Sequence, residues 1–214
     1  MKGQIFLIAS VIVIITLVLI KNSIDITSVL ENKRSLESSL ERLEFENAKR
    51  ELIRTVDYSA NFSTNISTGV EIFLKFSQNV FSQRTNDFQA IAVSTYYPRV
   101  VSGSMVTINF TVLNLLERNL DFLNLTFSST NVSTTFRDVA QAAIVTTNST
   151  FTTSNTVNYT LTVFYNTTQG NITENILIPV EIGKSKFVGF FDLILKSSRL
   201  TQRDKFTETI DLSA

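Results

Sequence analysis

The pattern of apolar and polar positions divides the chain into three stretches with different periods. From Ile5 to Ile20 there is no period at all, because only Ser10 and Thr16 interrupt sixteen otherwise apolar positions. As a helix that run is roughly 24 Å long at 1.5 Å per residue. A bilayer core is about 30 Å thick, and Gly3, Gln4 and the aliphatic stems of Lys2 and Lys21 extend the run toward it. Ser10 and Thr16 can bond back to their own helix, so lipid tolerates them. Three readings compete: a buried helix of a soluble domain, a cleaved secretory signal, and a retained membrane anchor. A buried helix normally keeps one polar stripe in a domain of this size. A cleaved signal needs a small-x-small site, whereas Lys21, Asn22, Ser23, Ile24 and Asp25 come next here. The retained anchor is the expectation taken forward.

Residues 22–60 hold fourteen of the chain's charges, and no Pro or Gly occurs from Gln4 to Ala60. That predicts a charged helical stalk. Asn22 and Ser23 are the expected break, with Ser28 and Glu31 as a capping box opening the helix. Leu36, Leu40 and Leu43 step by four and three, but Ala48, Leu52 and Val56 step by five, four and four. A stripe that drifts in this way does not sustain a coiled coil. The spacing of Val70, Phe73, Leu74, Ser77, Val80 and Phe81 predicts a second, amphipathic helix, with Thr68 and Glu71 as its capping box. Its apolar face is expected to pack on the stalk or on the C-terminal domain. A polar, turn-prone linker, Asn61–Ser67, precedes it.

From about Phe88 the period becomes two. Val106, Ile108, Phe110 and Val112 alternate with polar residues, and so do Val157–Tyr165, Ile176–Ile182, Phe187–Leu195 and Phe206–Leu212. Roughly eight such half-buried strands predict a two-sheet antiparallel sandwich. Gly170 and Gly183 mark turns, as do Pro98 and Gly103. Pro179 inside a strand pattern predicts an edge strand or a bulge. The fold class expected is therefore α+β: an N-terminal transmembrane helix (1–21), a helical stalk with its second helix (22–87) and a β-sandwich of Ig-like architecture (88–214).

Composition narrows the chemistry. The 214 residues include no Cys, His or Trp, and the 19 basic and 19 acidic residues cancel. A Ser-His-Asp triad, a Cys-His pair, a His or Cys zinc site and a disulfide are excluded within the chain. Zero net charge argues against a nucleic-acid partner. The acids of the β domain, Glu117, Asp121, Asp138, Glu174, Glu181, Asp192, Asp204, Glu208 and Asp211, are scattered singly. They form neither a calcium-loop spacing nor a catalytic motif. The expectation is a non-enzyme with no cofactor and no metal. Tyr96 and Tyr97 beside Pro98 read as strand-end core or rim residues, with a sugar-stacking platform as the alternative.

What the strands show outward is Thr, Ser and Asn rather than Lys and Glu. Residues 139–173 carry no charge. Nine Asn-x-Ser/Thr sequons start at Asn61, Asn65, Asn109, Asn124, Asn131, Asn148, Asn158, Asn166 and Asn171. Together with an anchor they point to a glycosylated extracytoplasmic surface; the β-propensity of Thr on exposed strands is the competing account.

The start of the chain, Met1-Lys2-Gly3-Gln4 followed directly by the apolar run, resembles the class III signal peptides of archaeal type IV pilin-like proteins. The resemblance covers these four residues and the apolar helix. It implies a cut between Gly3 and Gln4, with the helix retained afterwards, and pilin-like subunits as partners. The fuller family pattern has Ser at position 6 and Glu at position 8, where this chain has Phe6 and Ile8. In that family the acidic residue pairs with a neighbour's new N-terminal amine, so its absence points to a minor or simply tethered surface protein. The functional expectation is a membrane-anchored, pilin-like structural protein of the cell surface, with the lipid bilayer as first partner. The alternative is a membrane-tethered monomeric binding or adhesion module.

Overall fold

The computed structural model describes residues 2–61, 65–84, 86–99, 105–127, 132–152, 157–167, 170–180, 183–198 and 200–212. Side chains are described for these except 2–10, 127, 132–133, 151–152, 157–159, 167 and 178–180. The chain divides into two compact units, Met1–Glu46 and Asn47–Ala214.

The first unit is helix. Helix α1 spans Lys2–Asn61 and enters both units. It passes through Asn22 and Ser23 without a break, and Ser28 caps nothing: its hydroxyl donates back to the Asp25 carbonyl at 3.0 Å. Thr16 and Thr27 do the same to Ile12 and Ser23 at 2.8 and 2.9 Å. The expected break and cap fail for one reason. A mid-helix Ser or Thr satisfies its hydroxyl on the preceding turn, so with no Gly or Pro present nothing ends the helix. Leu36, Leu40 and Leu43 are all exposed.

The second unit holds the end of α1, helix α2 (Ile66–Ser82) and nine strands among the described residues, one more than the periodicity suggests. These are β1 (Asp87–Tyr97), β2 (Met105–Asn114), β3 (Leu120–Phe127), β4 (Val132–Val139), β5 (Ile144–Thr152), β6 (Val157–Thr167), β7 (Gly170–Val180), β8 (Lys186–Lys196) and β9 (Thr201–Asp211). They form two antiparallel sheets, ordered β5-β2-β1-β8-β9 and β4-β3-β6-β7. The α+β class with a β-sandwich is the fold observed. Strand β7, which carries Pro179, is an edge strand, where a missing N–H costs no ladder bond. Gly170, the first residue of β7, and Gly183, in a turn beyond its end, take φ of +114° and +83°.

The sandwich core lies between the sheets. Ile91, Val93 and Tyr97 of β1 meet Val188, Phe190 and Ile194 of β8, and opposite them stand Leu123, Leu125, Leu161 and Val163. The alternation breaks down in β1 and β8, which are buried along almost their whole length on both faces. The reason is a third layer. Helix α2 and the last turns of α1 lie on the outer face of the five-stranded sheet. Phe81 of α2 stacks on Phe88 of β1 at 5.2 Å, and Lys49 of α1 sits 5.1 Å from the Phe206 ring of β9. The strand face beneath the helices is graded in size. Ala90 and Ala92 of β1 pair with Leu193 and Phe191 of β8, small opposite large, whereas Ser94 and Gly189 face each other as two small residues.

The second helix has the expected apolar face, with Ile66, Val70, Leu74, Ser77 and Phe81 buried. It starts earlier than its expected capping box. Asn65 is the N-cap, and Thr68 and Gly69 lie inside the first turns. At Gly69 the two helices approach closely: a β-carbon there would lie 2.4 Å from Ser59 Oγ. The helix begins where the chain comes off α1, and that contact outweighs the local capping preference.

One corner of the sandwich is fixed by a single amide. The β4–β5 turn crosses between sheets; Asp138 at the end of β4 and Ala142 in the turn have φ of +50° and +56°, a left-handed conformation that Asp tolerates better than Ala. Asn114, fully buried, donates its side-chain NH2 to the carbonyls of Val139, Ala140 and Arg118 at 2.9, 3.2 and 3.0 Å, and its Oδ1 accepts from the Leu116 N–H at 3.0 Å. A Thr134–Ser149 hydroxyl bond of 2.7 Å joins the sheets along this edge, and a Lys205–Glu174 ion pair joins them along the other.

Candidate functional site

Three features could carry function: the apolar helix, the polar strand face and a hollow beneath the start of α2. In the first, Val11 to Ile20 are all exposed. The most apolar stretch of the helix has a mean hydropathy of 1.8 and is 0% buried. It is long and apolar enough to cross a membrane. Such a helix left bare in water would expose far more contiguous apolar surface than a soluble monomer normally shows. Gly3 and Gln4 lie within α1, and their side chains lie outside those described.

The polar strand face is sharpest on β2 and β5, the side of the five-stranded sheet beyond the helices. Met105, Thr107 and Asn109 are exposed there, as are Thr146, Asn148 and Thr150. Hydroxyl pairs Thr107–Thr150 and Thr111–Thr146, at 3.1 and 3.4 Å, run across it. Asn109 and Asn148 are direct cross-strand partners. Of the other sequon residues, Asn61, Asn65 and Asn171 are exposed, while Asn124 and Asn166 are half-buried. Asn124 accepts from the Thr135 hydroxyl at 3.3 Å, and Asn166 has its Oδ1 buried without a hydrogen-bond partner. Asn158 has only its backbone described, in β6, and Asn131 lies outside the described residues. The sequence set therefore separates by accessibility: of the seven asparagines whose side chains are described, five stand open to solvent.

The two tyrosines separate as well. Tyr97 is core, 1% exposed, whereas Tyr96 is 40% exposed. Their side chains leave opposite faces of β1, as neighbours in a strand must. Tyr96 borders a hollow of about 610 Å³ between the start of α2 and the sheet, floored by Ile66 and Phe187. A smaller hollow of about 120 Å³ adjoins it and shares Asn65, Ser67, Thr111 and Thr146. Asn65 makes no side-chain capping bond to its helix, unusual for an N-cap Asn. The periodicity gives no sign of this hollow, because it arises where α2 leaves the sheet.

Among the described residues, four of the acids that are scattered in sequence are tied into ion pairs. Asp204 pairs with Lys49, Glu174 with Lys205, and Asp211 with Lys186 at 3.2 Å. Glu208 has its carboxyl pushed above the usual range, first by burial and then by the Asp57 charge, with Lys49 opposing. Glu181 lies outside the described residues. Asp192 is the exception in kind. It points into the sandwich from β8 at 1% exposure and receives Arg203 Nε from β9 at 2.9 Å, a second guanidinium bond, and the Tyr165 hydroxyl from β6. Burial and then the Asp192 charge push the Tyr165 phenol well above its usual range, with Arg203 opposing. The Arg203 guanidinium is raised by its bond to Asp192. This cluster links the two sheets and is closed to substrate. Its one sequence signal is an acid inside an apolar strand, which any exposed strand position would also give. Among the described residues no three potential metal-ligating side chains converge.

No protein-family model matches the chain, and no curated protein matches it.

Proposed function

We propose that the protein is a membrane-anchored, extracytoplasmic surface protein of pilin-like organisation, whose role is structural. One observation carries this reading. A helix apolar enough to span a bilayer, bare of contacts along Val11–Ile20, is joined to a sandwich whose exposed β2 and β5 positions are Thr and Asn rather than charged residues. The helix would be held by lipid or by the helices of neighbouring subunits, and the sandwich would present a neutral, glycan-bearing face. Glycans would sit on the open asparagines Asn61, Asn65, Asn109, Asn148 and Asn171. The protein acts by burial of its helix and display of its domain, without catalysis or cofactor.

The test is intact-mass and N-terminal peptide analysis of the chain taken from native membranes. The expected mature chain begins at Gln4 and carries added hexose-sized masses. A start at Met1 would sink the pilin-like part, and release by alkaline carbonate without detergent would sink the anchor. Unmodified peptides around all five open asparagines would remove the glycosylated face. The hollow beside Tyr96 supports a second reading, a tethered monomeric binding module. Detergent-solubilised native protein that sediments as a monomer, with no filament association, would favour it.

A further inference from the structure

The hollow beside Tyr96 sits on a row of side chains running across four neighbouring strands. Phe187 of β8 pairs with Tyr96 of β1, Tyr96 with Asn109 of β2, and Asn109 with Asn148 of β5. All four lie on the helix-bearing face of the five-stranded sheet. The row thus passes from a buried aromatic floor to an exposed aromatic ring and then to two exposed amides. Asn65, the N-cap of α2, and Ser67 within it form the facing wall, with Thr111 and Thr146 along the side.

The chemistry of this wall selects its ligand. The described lining of the larger hollow contains no Asp, Glu, Lys or Arg. A phosphate, a carboxylate or an ammonium group would be desolvated there without a counter-charge, which is costly. A wholly apolar ligand would leave the amides and hydroxyls facing it unpaired, which is also costly. A pyranose ring meets both demands. Its C–H face can lie on the Tyr96 ring, and its hydroxyls can exchange hydrogen bonds with groups that both donate and accept, namely amide and hydroxyl side chains. The volume, about 610 Å³, lies within the range of ligand pockets and suits one to three sugar rings. We propose that this hollow is a binding site for neutral carbohydrate, with Tyr96 as stacking platform and Asn65, Asn109, Thr111 and Thr146 as its polar contacts. Two sources can supply that chemistry. One is a glycan carried by the chain itself, since Asn65 and Asn109 are both sequon residues at the rim. The other is a glycan of another molecule. The site stands on its own geometry, whether or not the chain assembles or spans a membrane.

The experiment uses the full chain in a polyoxyethylene detergent, because a maltoside headgroup is itself a sugar. One sample is made in a host without N-glycosylation and one is taken from native membranes. Thr methyl groups of the first are labelled and the chain is titrated with maltotriose, mannotriose and chitotriose. Trigalacturonate and a neutral tripeptide serve as comparisons. At least one neutral trisaccharide is expected to give saturable shifts centred on Thr111 and Thr146. Tyr96→Ala should weaken binding by about fivefold or more, the worth of one aromatic stacking contact. Tyr96→Phe should retain binding, and Tyr58→Ala, on an exposed part of α1, should leave it unchanged. If Tyr96→Ala disturbs the fold, Asn109→Val on the exposed β2 face replaces it with the same expected direction. Native protein that responds only after its glycans are removed identifies the chain's own glycan as the occupant. Native protein that responds directly identifies an external one. Absence of saturation with every neutral sugar, shifts centred elsewhere, indifference to Tyr96→Ala, or tighter binding of trigalacturonate or the peptide would each overturn the proposal.

Discussion

Changing Asp192 to Asn tests whether the ion cluster inside the sandwich is matched or merely tolerated. The substitution keeps size and shape but removes the charge that receives Arg203 and the Tyr165 hydroxyl. Breaking a buried pair from one side costs about 3–5 kcal/mol, because the remaining charge is left uncompensated. Asp192 is 1% exposed but Arg203 keeps 19% of its side chain open, so water can partly solvate the orphaned guanidinium. The lower end, about 3 kcal/mol, is therefore expected. Tyr165→Phe removes one hydrogen bond to a charged group and should cost about 1.5–3 kcal/mol. The triple change Asp192→Leu, Arg203→Met and Tyr165→Phe should lose less than Asp192→Asn alone, since it leaves no orphan. The assay is urea unfolding of the full chain in detergent, followed by tyrosine fluorescence, since the chain has no Trp, and by circular dichroism. An Asp192→Asn midpoint within error of the parent would refute the reasoning, as would a triple variant weaker than the single one.

Other perturbations test the same packing. A β-carbon at Gly189 would lie 2.7 Å from the Phe191 ring and 3.1 Å from that of Phe187. Gly189→Ala should therefore destabilise by about 1–3 kcal/mol in the same unfolding assay, and Phe191→Leu should recover part of that loss in the double variant. Asn114→Ala removes three bonds to carbonyls and the acceptor of the Leu116 N–H at the β4–β5 corner, and should cost about 2–4 kcal/mol by denaturant midpoint. Hydrogen exchange near Ala142 should rise with it. The raised carboxyl of Glu208 makes the folded state bind more protons than the unfolded one, so its contribution weakens stability as pH rises from the ordinary Glu range through the folded value. Glu208→Gln should thus stabilise the protein at neutral pH, and the gain should vanish below the ordinary Glu range. A gain that persists at low pH would contradict that sign.

Much of the architecture was legible as periodicity. The run Ile5–Ile20 needs no partner information to be read as a helix for lipid. The two-residue period of Val106–Val112 gives a strand with one buried face, and that of Phe206–Leu212 a strand with one half-buried face. Local patterns work at these positions because each residue meets the same environment as the next residue on its face. They fail where a residue's environment is set by a distant segment. Strands β1 and β8 look like half-buried strands, yet both faces are covered because α2 and the last turns of α1 lie on one face of their sheet. Ser28 and Thr68 look like caps, but continuous helix or the Gly69–Ser59 contact decides those positions. Tyr96 and Tyr97 are indistinguishable in sequence, and only the register of β1 against its neighbours puts one in the core and the other at a cleft.

The sequence alone excluded whole chemistries, since a chain without His or Cys cannot build the sites that need them. It also set the apolar helix, the strand-rich domain and the neutral Thr- and Asn-rich character of its surface. Tertiary structure decided which asparagines stand open, how Asp192 finds Arg203 on the neighbouring strand and Tyr165 on the opposite sheet, and where a hollow forms. Those outcomes depend on which residues the sheet order brings side by side. Strand order and the third layer are set by packing between segments far apart in the chain, so no local window contains them.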